Sequence, residues 1–243
     1  TGAVQAVAPS TSGNVLTSNG STWVSSAVAA TLIGETDSAT PFSTFLGSGA
    51  GVNTTGTNNV AVGYQALEAN TAGGNNTAIG QGNTAVGYQA LDASIDTYFN
   101  VAVGYQALKA NTTAWNNTAA GKEALFSNTT GASNTAIGAE SLKSNTTGNS
   151  NVAVGYQALD SNTTGSSNTV VGYAAGQGIT TANGNTVFGD RAFFNNSTGQ
   201  TNTAVGGFAL YSTTAANNTA LGYQAGNSIT TGTNNLVLGY DAD

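Results

Sequence analysis

The sequence predicts an all-β fold, a parallel β-solenoid or β-roll of about thirteen coils of seventeen residues each. The first observation is a repeat. Twelve Asn residues each have a Gly four residues later, and nine of the eleven intervals between them are seventeen residues long. The second is composition, because Gly, Asn, Thr and Val are poor helix formers and seventeen residues are too few for helical-hairpin repeats. Coils stacked about 4.8 Å apart would form a rod on the order of 60 Å long.

We number the positions of each coil from its Asn, which is position 1. The other two intervals are sixteen residues and seven residues, the latter between Asn76 and Asn83. The twelve openers are Asn59, Asn76, Asn83, Asn100, Asn117, Asn134, Asn151, Asn168, Asn185, Asn202, Asn218 and Asn235, and the Gly residues at position 5 include Gly63, Gly104, Gly121, Gly138, Gly155 and Gly172.

Each coil begins with a short strand at positions 2 to 4, which has β-branched residues on one face and a small apolar residue on the other. Gly at position 5 ends the strand where the backbone turns with positive φ. Ala-Leu at positions 8 and 9 begins a second apolar segment, and an Asn-Thr-Thr-Gly string such as 128–131 forms a turn. The column of Asn could bind a ligand or an ion, but an internal ladder of amides is the favoured interpretation, because buried polar groups need partners.

Charge and composition exclude several functions. Only 15 residues are charged, and there is no His or Cys, so disulfides, thiolate metal sites and His bases are excluded. A net charge of −7 with four cations argues against nucleic acid as a partner, and no apolar run is long enough to insert in a membrane. We expect no cofactor and no enzymatic activity. Two acids could act together only if Asp92 and Asp96 met across a subunit groove.

The strand is apolar on both faces, whereas a monomeric solenoid needs only one dry face. The face lined with Ala therefore predicts close packing against other chains, and the chain is expected to be a homo-oligomer.

The strings "NTAIG", "NVAVGYQAL" and "SNTAIGAESL" resemble the head domains of trimeric autotransporter adhesins of the YadA type. The longer string with Tyr-Gln-Ala-Leu and Asn-Thr-Thr-Gly is also similar to repeats of phage tail fibres and large bacterial surface proteins. The resemblance covers about residues 43 to 243. It implies a left-handed β-roll, a homotrimer, and a location outside the cell, on its surface or on a virion. The coil of seventeen residues is longer than that of the adhesin heads.

The chain divides into an N-terminal hairpin and connector (1–42) and a solenoid domain (43–243) with irregular coils near 76–99. "VLTS" and "STWV" flank Asn19-Gly20, which is a strong two-residue hairpin signal. The hairpin is expected to close the open end of the solenoid, and residues 27–41 are expected to connect the two. "LVLGYDAD" stops in the middle of a repeat, so more chain or another subunit is expected to follow.

A candidate binding site lies where the period breaks. Tyr98 and Trp115 are both at position 16, in consecutive coils, with Phe99 and Asp96 close by in sequence. Stacked coils would place the two rings roughly 5 Å apart. Aromatic rings beside acidic and amide groups could form a platform for a saccharide, and the alternative is local packing that covers the irregular turn. The Tyr column at position 6 is interpreted as structural, with rings that stack along the rod or bridge subunits.

The leading hypothesis for function is a rigid, oligomeric segment of a surface adhesin or a tail fibre. It would present a receptor-binding end, and a glycan is the expected receptor class. An extracellular filament whose subunits stack end to end is the alternative, and a less favoured one is an ice-binding solenoid, because Thr pairs such as Thr129-Thr130 recur in each coil. Several Asn residues match the glycosylation pattern, namely Asn53, Asn111, Asn128 and Asn145.

Overall fold

A computed structural model describes residues 83–94 and 97–243, and five strands in the earlier part of the chain: β1 (Asn14–Ser18), β2 (Trp23–Ala27), β3 (Leu32–Ile33), β4 (Thr44–Leu46) and β5 (Val60–Val62). Ten more strands of three residues follow, each at positions 2 to 4 of a coil. They are β6 (Thr84–Val86), β7 (Val101–Val103), β8 (Thr118–Ala120), β9 (Thr135–Ile137), β10 (Val152–Val154), β11 (Thr169–Val171), β12 (Thr186–Phe188), β13 (Thr203–Val205), β14 (Thr219–Leu221) and β15 (Leu236–Leu238).

The strands β6 to β15 form one parallel sheet in chain order, so each coil makes one circuit and returns beside the previous strand. Position 3 of each coil pairs with position 3 of the next coil, as Ala119 does with Ala136. The register holds across the sixteen-residue interval, where Thr203 pairs with Thr219. The predicted parallel β-solenoid of seventeen-residue coils is therefore confirmed for this part of the chain.

The interior of the solenoid is narrow and lined by positions 3, 8 and 9. Ala102, Ala107 and Leu108 are each 0% exposed, and the other coils repeat this arrangement. The prediction that the Ala face packs against other chains is wrong, because Ala is the inner residue. A seventeen-residue coil encloses so little volume that a Leu at position 9 leaves room only for small side chains opposite it. The β-branched positions 2 and 4 point outward instead.

The backbone of each coil turns through left-handed conformations at four positions. Gly at position 5 has φ between 129° and 146°, as predicted. Three further positions, 7, 9 and 17, are left-handed although most of them hold residues with a side chain, such as Gln106 (φ 56°), Leu108 (φ 50°) and Asn116 (φ 59°). A buried Leu in this conformation is uncommon. The hydrogen bonds between coils, such as that from the Leu108 N–H to Ala124 O at 3.0 Å, hold it there.

The Asn column at position 1 is an internal amide ladder, as predicted. Asn134 Nδ2 donates to Gly148 O at 2.9 Å, and Asn134 Oδ1 accepts from the backbone N–H of Asn151 at 2.9 Å. The same pattern joins Asn100, Asn117, Asn151 and Asn168 to their neighbours. Every described member of the column from Asn83 to Asn218 is at most 1% exposed. The predicted ladder residues Asn59 and Gly63 lie outside the described residues.

A second buried Asn column lies at position 12, where the sequence indicated only a turn. Asn128, Asn145 and Asn162 each donate from Nδ2 to Oδ1 of the preceding member of the column, at distances of 2.7–3.1 Å. The Gly that follows at position 15 is required for space rather than for a left-handed turn. A Cβ on Gly131 would lie 2.5 Å from Asn128 Oδ1 and 2.8 Å from Asn145 Nδ2.

Two coils exchange the residues that fill their interior. The coil of Asn168 has Gly176 at position 9 and Ile179 at position 12, where most coils have Leu and Asn, and the coil of Asn218 has Gly226 and Ile229 at the same positions. A Cβ on Gly176 would lie 3.1 Å from Ile179 Cδ1 and 3.4 Å from Val170 Cγ1, so these two side chains occupy the space of the missing Leu. Ile179 cannot donate a hydrogen bond, and Asn162 Oδ1 is consequently buried without a partner.

This exchange predicts strong coupling between the three positions. Ile179→Asn alone should lower the free energy of unfolding by about 2–4 kcal/mol, because it opens a cavity beside Gly176. The triple variant Val170→Ala, Gly176→Leu, Ile179→Asn restores the common arrangement and should lie within about 1 kcal/mol of the wild type. Denaturant unfolding measures both. Destabilisation of the triple variant by the sum of the three single changes would contradict the interpretation.

The N-terminal strands agree in part with the prediction. β1 and β2 pair antiparallel with Ser18 opposite Trp23, so the hairpin is confirmed, but β2 begins at Trp23 and not directly after Asn19-Gly20. The predicted connector contains β3, which pairs antiparallel with β4, and β4 pairs parallel with β5. β3 is therefore the hydrogen-bonded neighbour of β4. The closing role of the hairpin and the boundary at residue 42 remain predictions, and the short interval 76–83 begins outside the described residues.

Candidate functional site

Three surfaces of the solenoid face outward, and each is built from fixed positions of every coil. The strand face consists of positions 2 and 4, the tyrosine face of positions 6, 7 and 10, and the threonine face of positions 13, 14, 16 and 17. Apart from Asp243 near the end of the sequence, every charged residue in the described part of the chain lies on the tyrosine face. Charge therefore marks outward-facing positions of the coil in this part of the chain.

The strand face is an uncharged apolar strip that follows the ten-stranded sheet. Position 2 holds Thr, Val or Leu, and position 4 holds Val, Ile, Leu, Ala or Phe. Ten strands spaced about 4.8 Å apart extend over roughly 43 Å. The most exposed large side chains of the strip are Val86, Val103, Ile137, Phe188, Leu221, Leu236 and Leu238, which are between 40% and 69% exposed. A strip of this kind is typical of a surface that contacts another molecule.

The tyrosine face carries aromatic rings stacked along the rod, as predicted for position 6. The rings form three pairs, Tyr88 with Tyr105, Tyr156 with Tyr173, and Tyr223 with Tyr240, with centroids 5.2–5.5 Å apart. Two interruptions of two coils each separate the pairs. The first holds Lys122 and Ala139, and the second holds Asp190 and Gly207. Stacking at the spacing of the coils indicates that the sheet sets the distance between the rings.

Charged groups surround the first interruption. Lys143 Nζ lies 2.7 Å from Glu123 Oε2, and Lys122 Nζ lies 3.2 Å from Glu123 Oε1. Lys122 Nζ also lies 3.6 Å from Glu140 Oε1, and Glu140 Oε2 accepts a hydrogen bond from Gln157 Nε2 at 2.9 Å. The two cations are thus paired with Glu123 and Glu140, and Asp160 adds a third carboxylate beside Lys143.

The carboxylates of this patch have different environments. The hydrogen bond from Lys143 is the main cause that holds the pKa of Glu123 below its ordinary value. Burial raises the pKa of Asp160 above its ordinary value, and Lys143 opposes that effect. Asp160 Oδ1 is also buried without a hydrogen-bond partner. The fold thus favours the charged form of Glu123 and disfavours that of Asp160.

The predicted saccharide platform is only partly described. Asp96 lies outside the described residues. Tyr98 and Trp115 lie in adjacent coils, since the N–H of Asn116 donates to Tyr98 O at 3.1 Å. The Tyr98 ring contacts that of Phe99, with centroids 6.5 Å apart and planes tilted by 44°. Phe99 and Trp115 are 64% and 56% exposed. A binding role for Tyr98, Phe99, Asp96 and Trp115 therefore stays a prediction.

The threonine face differs from a flat array of Thr pairs. Thr129, at position 13, is half-buried and donates its hydroxyl to Thr146 O at 3.0 Å, and the neighbouring coils repeat this bond. Thr130, at position 14, is exposed. Of the two Thr columns on this face, only the one at position 14 faces outward. The glycosylation pattern at Asn111, Asn128 and Asn145 falls on fully buried ladder residues, and Asn53 lies outside the described residues.

No group of three His, Cys, Asp or Glu side chains that could hold a metal ion occurs in residues 83–94 and 97–243. In the same part of the chain, no helix combines the length and the apolar character that crossing a lipid bilayer requires.

Comparisons with known proteins found no match to this chain among protein-family models, curated proteins or solved structures.

Proposed function

We propose that this chain is a rigid segment of a homo-oligomeric surface fibre, of the kind found in phage tail fibres and bacterial adhesins. The uncharged apolar strip of the strand face is the single observation that carries the proposal, because a solitary rod would leave this strip in water. The fibre would lie outside the cell or on a virion and hold a receptor-binding surface away from it. A trimer of left-handed coils is the form that the sequence resemblance implies.

The internal construction of the rod supports a mechanical role. Backbone hydrogen bonds and the Asn ladder at position 1 join the described coils to one another, the second Asn ladder adds bonds from Asn111 to Asn162, and side chains rather than loops fill the interior. A repeat of this kind extends in one dimension, since each coil contacts only its neighbours. All four cations lie on the tyrosine face and are engaged with carboxylates or aromatic rings: Lys122 and Lys143 with Glu123, Lys109 with Phe126 and Arg191 with Tyr173.

The oligomer is tested by charge on the strand face. Val154→Arg, at the middle of the sheet, should dissociate the oligomer into smaller species, because an unpaired guanidinium would be buried between chains. One chain has a mass of 23.9 kDa. Sedimentation velocity measures this change. The control Thr147→Arg, on the exposed threonine face, should leave the oligomer intact. A wild-type chain that sediments as a folded monomer would contradict the proposal.

End-to-end stacking into filaments remains the alternative, and electron microscopy of the purified chain distinguishes long filaments from short rods. The ice-binding alternative is weaker. On the threonine face the hydroxyls at position 13 donate to the backbone, so only the Thr column at position 14 is free to face water. A thermal hysteresis assay tests it directly.

A further inference from the structure

The geometry points to a binding slot for one pyranose ring on the tyrosine face, and we propose that the slot recognises a neutral sugar of a surface glycan. The slot is the space at Ala139, between Lys122 and Tyr156. The inference deepens the proposed function, because it names the class of ligand and the place where it binds. It rests on the fibre role only in taking the sugar to belong to a surface glycan.

The slot exists because the column of rings is interrupted while the backbone is not. The N–H of Glu140 donates to Lys122 O at 2.8 Å, and the N–H of Gln157 donates to Ala139 O at 3.0 Å. The coil of Ala139 is therefore stacked between its neighbours like any other. Where the paired coils hold two rings with centroids 5.2–5.5 Å apart, this coil holds only a methyl group.

Tyr156 provides one wall of the slot. One face of its ring stacks on Tyr173 with centroids 5.5 Å apart. No second ring contact or cation contact to Tyr156 occurs among the described residues, and the side chain is 43% exposed. The other face of the ring thus looks toward Ala139 with room for one more ring at the spacing that the column already uses.

The second interruption shows the contrast. Gly207 is smaller than Ala139, yet the chain fills the space beside it. A Cβ on Gly207 would lie 3.3 Å from Tyr223 Cδ2, and Phe208 packs edge-on against Tyr223 with centroids 5.9 Å apart. The Arg191 guanidinium covers the Tyr173 ring at 5.0 Å. Only the first interruption leaves a Tyr face next to a small side chain.

Polar groups along one side of the slot favour a sugar over an apolar ring. Lys122 Nζ and the Glu140 carboxylate meet there at 3.6 Å, and Gln157 Nε2 donates to Glu140 at 2.9 Å. A pyranose would place its C–H face on Tyr156, donate a hydroxyl to Glu140 and accept from Lys122. Because Lys122 is already paired with two carboxylates and the chain carries a net charge of −7, a neutral sugar is favoured over an anionic one or a nucleobase with its phosphate.

The test uses the full chain and the methyl pyranosides of glucose, galactose, mannose and N-acetylglucosamine as probes. For a ligand of this size on an open surface we expect Kd on the order of 1 mM. Saturation-transfer NMR should detect at least one of them, and titration of protein labelled on the Ala methyl groups should shift the Ala139 signal. The absence of saturable binding by all four probes would overturn the proposal.

Two variants and a control locate the binding. Ala139→Tyr fills the slot with the residue that six described coils hold at this position, so the fold should persist while affinity falls at least tenfold. Tyr156→Ala removes the wall and should have the same effect. Tyr88→Ala removes a ring of another pair and should leave Kd unchanged.

An unchanged Kd for Ala139→Tyr would overturn the proposal. Saturable binding of N-acetyltyrosinamide in place of every pyranoside would also overturn it, since the slot would then accept an aromatic side chain. Sedimentation of the same samples tests the fibre proposal independently of sugar binding, because formation of the oligomer does not require the slot.

Discussion

Asn134→Ala is expected to lower the free energy of unfolding by about 2–4 kcal/mol, because it leaves the buried N–H of Asn151 without a partner and removes two further buried hydrogen bonds. The lost bonds are those of Asn134 Nδ2 to Gly148 O and of the Asn151 N–H and Nδ2 to Asn134 Oδ1, while Gly148 O keeps the bond from Asn145 Nδ2 at 3.1 Å. Water cannot replace them, since Asn134 and Asn151 are both 0% exposed. Denaturant unfolding at a fixed protein concentration measures the change.

Asn149 gives a matched control in the same coil. Its Oδ1 accepts from the Ala132 N–H at 2.8 Å and its Nδ2 donates to Thr147 O at 3.0 Å, but the residue is exposed. Water can take over these bonds, so Asn149→Ala should change stability by no more than about 0.5 kcal/mol. Equal destabilisation by both variants would show that burial of the amide ladder is not what stabilises the coil.

Gly206→Ala is expected to prevent folding of its coil or to cost about 4 kcal/mol or more, since conformation and space both oppose a side chain there. Gly206 has φ of 131°, and its Cβ would lie 2.5 Å from the carbonyl carbon of Gly222 in the next coil. Backbone atoms cannot move aside without breaking the hydrogen bonds that join the coils. Far-UV circular dichroism and denaturant unfolding report the loss.

The adjacent Gly207 should tolerate the same substitution. Its φ is not in the left-handed region, and the nearest atom to an added Cβ is Tyr223 Cδ2 at 3.3 Å, which belongs to an exposed ring that can shift. We expect Gly207→Ala to cost less than about 1 kcal/mol. If Gly207→Ala were as damaging as Gly206→Ala, the close approach of the Gly columns would not explain the repeat.

The columns of the solenoid could be predicted because a strict interval constrains the fold more strongly than residue propensity does. An Asn and a Gly that recur every seventeen residues must align when the coils stack, and Asn134, Asn151 and Gly138 do so. The charges of Lys122 and Asp190 also indicate, from the sequence alone, that position 6 faces outward. The interval, however, says nothing about which face of the strand points inward.

The orientation of the strand could not be predicted because Ala suits a tight interior and a close interface equally well. The deciding fact is Leu108, which enters the interior from a left-handed backbone, and no common preference of Leu indicates that conformation. The need for Gly131 could not be predicted for a similar reason. Its turn is compatible with any residue, but the space beside it is filled by Gly148 O and the Asn145 amide of the next coil and by the Asn128 amide of its own coil.

In the candidate sites too, the repeat interval predicts which coil a residue belongs to, but not how its side chain packs. Tyr98 and Trp115 could be placed in neighbouring coils from their position number, but the tilt of Tyr98 toward Phe99 depends on side-chain packing within one coil. The slot at Ala139 depends on the direction in which Lys122 turns, toward Glu123 and Glu140 and away from the ring of Tyr156. Ionic contacts of this kind follow from the folded geometry and not from the repeat.

The unpartnered oxygen of Asn162 marks one point of mechanical weakness in the rod. Hydrogen bonds between coils run along the stack, so a pulling force applied to its two ends acts on successive junctions in series. The junction beside Ile179 lacks the amide bond that Asn128, Asn145 and Asn162 make toward the coils before them. Under tension we expect the stack to part there before it parts at the junctions where that bond is present.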